Sequence, residues 1–174
     1  LALEDAAKRD LPTIALVTGG GARIQEGVIS LMQMAKTVSA ANRLREKDVP
    51  FIVVLANPST GQAYASFANL ADVILAEPGS LIGLSPLRTL RNVSDTGLHI
   101  SAHTAEAHLK NGLIDNIVDR ENLQPRLASL LNVLTNEKQT NKEIKRTIKL
   151  TESGPSNSSS SDPVSTARHR DRPT

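Results

Sequence analysis

The chain has 174 residues, 39% of them hydrophobic and 2% aromatic, with a formal net charge of +2. So small a charge and so few aromatic side chains argue against a nucleic-acid binder, which needs basic surface and stacking platforms. The chain has no cysteine, which excludes disulfides, thiolate catalysis and cysteine-ligated zinc within it and fits a reducing compartment.

No apolar run approaches the ~20 residues of a membrane span, and no signal-peptide pattern opens the chain. The first residue is Leu rather than Met, so a fragment or a processed chain is expected. LALEDAAKRDLP (1–12) reads as the end of a helix closed by Pro12. TIALVT (13–18) reads as a buried strand, because its apolar run is continuous and β-branched. From Ile24 to Lys47 the apolar residues fall at 24, 28, 31, 35, 38 and 44, a single helical stripe. FIVVLA (51–56) is a second buried strand and NPSTGQ (57–62) a Pro/Gly-punctuated loop. AYASFANLA (63–71) reads as a short helix, DVILAEP (72–78) contains a third strand, and SLIGL supplies a fourth.

No element is assigned around residues 86–100. TAEAHLKNG (104–112) is a helix with Thr104 as N-cap and Gly112 at its C-terminal end. IDNIVD is a strand, and ENLQPRLASLLNVL a last helix with Pro125 near its start. Alternating strands and helices imply an α/β fold with largely parallel pairing. The globular domain is expected over 1–134, a charged, frayed helix over 135–150, and a disordered Ser/Pro-rich tail over 151–174. The Lys and Arg of 138–149 read as a solvated face and the tail as a solubilising end, with docking as the minority reading of each.

The stretch TGGGARIQEG (18–27) places three glycines between a strand and a helix. A phosphate site is one use for such a turn. However, no Lys-Ser/Thr follows for a P-loop, and Ile24 stands where a dinucleotide fingerprint needs its third glycine. A second use is a tight packing turn. A third is an oxyanion hole, in which backbone N–H groups hold an oxygen that gains charge. That use wants a second donor turn, and Gly61 and Gln62 in STGQAYASF supply a candidate. Turns after adjacent parallel strands would meet at one sheet edge, where ligands bind in open α/β folds.

GGARIQEGVISLMQMAKT (20–37) resembles the carboxyltransferase β subunit of bacterial and plastid acetyl-CoA carboxylase. Its GGARxQEG core is shared with the β chains of propionyl-CoA-type carboxylases, and the SLMQMAKT continuation is the part specific to the acetyl-CoA enzyme. The resemblance resumes at NPSTGQAYASFANLADVILAEPGSLIG (57–83) and TAEAHLKNGLIDNIVDRENLQPRLASLL (104–131), so it covers residues 1–134. It implies a crotonase (ClpP-like) fold of stacked ββα units, N-terminally incomplete, without the family's four-cysteine zinc ribbon and first strands.

The implied activity is carboxyl transfer from carboxybiotin to acetyl-CoA, giving malonyl-CoA through an enolate held by backbone amides. The implied partners are a carboxyltransferase α subunit and the biotin carboxyl carrier protein, in the cytoplasm or plastid stroma. By position in the motif, Gly21 and Ala22 would form one arm of the oxyanion hole and Gly61 and Gln62 the other, with Gly20, Arg23 and Thr60 on the acyl-CoA. No metal ligand is assigned.

This chain departs from the family in two places. Gln62 replaces a second glycine, which keeps the N–H but adds bulk and restricts positive φ. Residues 84–100 also differ, in a region that shapes the CoA pocket. These departures, with the absent N-terminal half, favour the rival reading, a non-catalytic carboxyltransferase-like scaffold that binds α. Another crotonase reaction would need a side-chain acid or base, and none stands out.

Other residues receive plainer readings. Arg23 and Glu26 form an internal ion pair that holds the turn. Ser66 packs a helix; a ClpP-type nucleophile would need a His base that the sequence does not offer. His99, His103 and His108 face solvent, with a metal site disfavoured by Gly97 and the lack of a third nearby ligand. Asp72 and Glu77 cap or pair rather than act as acid or base.

Overall fold

The computed structural model describes residues 1–85 and 100–136. The stretch from 86 to 99 with His99, nearly all of the expected charged helix and the whole tail lie outside the described residues. The described residues belong to one compact unit. The helices are α1 (Ala2–Arg9), α2 (Gly27–Glu46), α3 (Gln62–Ala65), α4 (Ala105–Lys110) and α5 (residues 123–136). The strands are β1 (Thr13–Gly19), β2 (Phe51–Thr60), β3 (Val73–Ala76), β4 (Ile82–Gly83) and β5 (Asn116–Ile117). Every pairing between them is parallel, in the order β1-β2-β3-β5, with β4 joined to the end of β2.

β2 explains most of the architecture. Its period-2 alternation sends Phe51, Val53 and Leu55 into the main core with α1, α2 and α3. Val54 goes to the opposite face, where Leu75, Val118 and three leucines of α5 cover it. A strand buried on both faces reads as continuous apolar sequence, as FIVVLA does. The expected loop at 57–62 is instead mostly strand, since β2 runs on to Thr60. β2 changes partners on the way: Ile52 to Leu55 pair with β3, whereas Ser59 and Thr60 pair with β4.

β1 corrects a second expectation. It is an edge strand, and only one of its faces is covered. Val17 is buried, but Ile14 and Leu16 are 42% and 67% exposed. The same holds for the stripe on α2. Its C-terminal half packs inward through Ala41 and Leu44, whereas Val28, Ile29, Leu31 and Met32 near its start are all more than half exposed. Leu44 is fully buried, a burial that contributes about 1.5–3 kcal/mol.

The helix ends follow local rules. At the end of α2, Asp48 takes a left-handed φ of 52°, and Val49 N–H donates to Leu44 O. α4 closes in the same way, with Gly112 at φ 69° and Leu113 N–H donating to His108 O. Thr104 caps α4 by accepting from Ala107 N–H. The expected single helix at 63–71 is broken into α3 and a 3-10 turn (Phe67–Leu70).

Candidate functional site

Two strand-to-helix turns, Gly19–Ala22 after β1 and Gly61–Gln62 after β2, meet at the C-terminal edge of the sheet. Three side chains stitch them together. Ser59 Oγ lies 2.8 Å from the Val17 carbonyl and 2.6 Å from that of Ala56. Thr60 Oγ1 donates to the Gly19 carbonyl at 3.4 Å, and Thr18 Oγ1 donates to the Pro58 carbonyl at 3.3 Å. Ser59 and Thr60 are fully buried, so their bonds are shielded from water, whereas the Thr18 bond lies at the surface. Thr60 therefore faces Gly19 with the hydroxyl it would need for a ligand. Ser59 makes one of the three cross-strand bonds, from a stretch that reads as a loop in the sequence.

At the first turn Gly21 has φ 101°, a conformation that favours glycine. Among the described residues, neither the Gly21 nor the Ala22 amide donates to a protein acceptor. Gly20 and Arg23 are exposed. The expected Arg23–Glu26 ion pair does not form; the two residues are joined by Glu26 N–H donating to the Arg23 carbonyl at 3.2 Å. Backbone turn geometry holds the motif, and the Arg23 guanidinium stays on the surface.

The second turn is built differently. Gly61 takes φ 74° and ψ −138°, a region open only to glycine. Its N–H donates to the Gly83 carbonyl at 2.9 Å, so that amide is already used. Gln62 is the first residue of α3, and the helix offers no acceptor for its N–H. The positive φ falls on Gly61 and not on Gln62, which is why a side chain is tolerated at 62. The Gln62 side chain turns toward α2, where its Oε1 accepts from Ser30 Oγ at 3.3 Å. Ser66 Oγ donates to the Gln62 carbonyl at 2.6 Å, which fastens the helix and fits the packing role. Among the described residues, the amides of Gly21, Ala22 and Gln62 at this edge meet no protein acceptor.

The histidines correct another expectation. His108 is buried, not solvent-facing, and meets Tyr64 edge to face at 5.6 Å. Burial pushes its pKa down, against a hydrogen bond from Nδ1 to the Thr104 carbonyl. No group of three His, Cys, Asp or Glu side chains among the described residues could hold a metal. Asp72 accepts from Phe51 N–H at 2.8 Å, and Glu77 accepts two bonds from Arg120 at 2.7 and 3.1 Å, as capping and pairing require. No helix among the described residues is long and apolar enough to cross a membrane.

The carboxyl transferase domain family matches residues 2–161. The acetyl-coenzyme A carboxylase carboxyl transferase subunit beta of Opitutus terrae is 48% identical over 130 residues, 75% of this chain and 45% of that one. The chain thus spans about half the length of the curated relatives it matches. The transcarboxylase 12S core solved with hydrolysed methylmalonyl-coenzyme A superposes with a TM-score of 0.62 at 28% identity, over 74% of this chain and 25% of that one. An enoyl-CoA hydratase/isomerase family member shares the fold alone, with a TM-score of 0.55 at 17% identity, over 87% of this chain and 72% of that one. The fold is that of the crotonase superfamily.

Proposed function

Since the chain belongs to the carboxyl transferase domain family, we propose that it is the thioester-binding half of an acetyl-CoA carboxylase carboxyltransferase, its β subunit. The observation that carries this reading is the trio of open amides on two stitched turns. A thioester oxygen placed between them gains charge when the acetyl C–H bond breaks to give the enolate. Fixed N–H donors lower the cost of that charge without reorganising. The enolate carbon forms the new C–C bond to the carboxyl group as that group's N–C bond to biotin breaks, and the biotin nitrogen takes up the proton lost from the acetyl carbon. No acid or base among the described residues lies on the two turns, so this half supplies stabilisation and its partner supplies the carboxyl donor.

The donors are Gly21 and Ala22 on one arm and Gln62 on the other, with Gly61 shaping the second arm. Gly20 and Arg23, exposed at the mouth, meet the CoA moiety. Thr60 serves from beneath by holding Gly19. The partners are the α subunit and the biotin carboxyl carrier protein, and the setting is the cytoplasm or plastid stroma. The relative's designation as a beta subunit supports a hetero-oligomer, and so does the exposed apolar stripe that begins α2, which suits a protein surface.

The test is the reverse reaction, malonyl-CoA to a biotin derivative, run with the full-length chain and the matching α subunit. Turnover is expected, and Gln62→Gly should change it less than tenfold because the N–H survives. Binding of α without any turnover would give the role to a non-catalytic scaffold.

A further inference from the structure

A cavity of about 450 Å³ opens beside the second turn. It is tied to the donor amide twice. Tyr64, on its wall, lies two residues beyond Gln62 in α3, and Gly83, also on its wall, is the residue that accepts the Gly61 N–H. Leu84 and Leu113, at 65% and 52% exposure, share the rim with the exposed Asn69 and the half-buried Ser85 and His103. Deeper in, Tyr64 and His108 are 4% and 5% exposed.

The Thr104 carbonyl can only accept, so His108 Nδ1, 3.0 Å away, carries the ring proton. Nε2 is then a lone-pair acceptor. Among the described residues nothing donates to it, and nothing pairs with the Tyr64 hydroxyl. A cavity wall with two polar atoms that have no protein partner among the described residues holds water unless a ligand replaces its bonds.

We propose that this cavity receives the acyl end of the thioester, and that Tyr64 and His108 make it selective for acetyl over longer alkyl groups. The inference rests on the thioester reading above. An acetyl methyl leaves the water on the polar wall undisturbed. A butyryl chain must displace it and offers neither a donor to Nε2 nor a partner to the hydroxyl, which loses affinity. Sites with buried polar groups reject ligands that leave those groups unpaired.

The experiment measures acetyl-CoA and butyryl-CoA binding by calorimetry on the full-length chain with its α partner, for the wild type, His108→Leu and Tyr64→Phe. The wild type is expected to prefer acetyl-CoA. His108→Leu should raise the butyryl-to-acetyl affinity ratio by on the order of tenfold, and Tyr64→Phe should raise it by less. A ratio that moves in neither variant, with both folded by circular dichroism, overturns the proposal. If His108→Leu does not fold, Tyr64→Phe, which removes one oxygen, decides alone. Wild type that binds both thioesters without preferring acetyl overturns the pocket assignment only. Wild type that binds neither overturns the thioester reading with it.

Discussion

The turn after β1 carries three glycines, lies on an edge strand and is largely exposed. The turn after β2 has one glycine, lies on a central strand and is fastened by Gly83, Ser30 and Ser66. No hydrogen bond among the described residues uses the Gly21 and Ala22 amides of the first. The second commits the Gly61 amide to structure and leaves only that of Gln62 open. A backbone donor site can therefore be half rigid and half adaptable. On the proposed reading, the buried turn fixes where the thioester oxygen sits and the glycine-rich turn adjusts to it.

The largest effect on this comparison should come from Gly61→Ala. A side chain at φ 74°, ψ −138° costs about 1–3 kcal/mol, read as a lowered urea midpoint, and the displaced Gln62 amide should reduce transfer by on the order of 100-fold. Gly20→Ala at the exposed turn should leave the midpoint almost unmoved. Equal losses from the two substitutions would erase the distinction between rigid and adaptable turns.

His108 sharpens the comparison through pH. Burial holds its folded pKa below the unfolded value of about 6.5, so the unfolded chain binds more protons in that window. Stability should be level above about pH 6.5 and fall as pH drops through the folded pKa. Thermal melts from pH 7.5 to 5 should show that slope in wild type and a flatter one in His108→Leu.

Glu77 gives a smaller effect at lower pH. The Arg120 guanidinium holds its carboxyl below the usual carboxylate range. The stabilisation is complete above the unfolded value of about 4.3 and is lost as pH falls through the lower folded value. Arg120 is largely exposed, so the effect is small. Arg120→Ala should destabilise slightly at pH 6 and not at all near pH 2. The smallest change is expected at Ser80, whose buried Oγ has no partner. Ser80→Ala should be neutral or stabilising, by no more than about 1 kcal/mol.

The glycine turns, the parallel α/β order and the Thr104 and Gly112 caps were legible in the sequence because each is a local signal. What escaped depends on neighbours. Ile14 and Leu16 look as buried as Val53 and Val54, and only the strand order reveals that β1 is an edge. The α2 stripe is apolar at both ends, yet Val28 and Leu31 are exposed while Leu44 is buried. Nothing local distinguishes the amide of Gly61 from that of Gln62; the difference is a carbonyl at Gly83, 22 residues away by the chain numbering. His108 looked like a surface histidine because Tyr64, its partner, lies on another helix.

The most direct test of the donor assignment is amide NMR of the 15N-labelled full-length chain in complex with unlabelled α, titrated with a non-hydrolysable acetyl-CoA analogue. The Gln62 resonance and those of Gly21 and Ala22 should move downfield together, while Gly61, already bonded to Gly83, should stay in place. Movement of Gly61 with a silent Gln62, or no movement at either turn despite binding, would contradict the account.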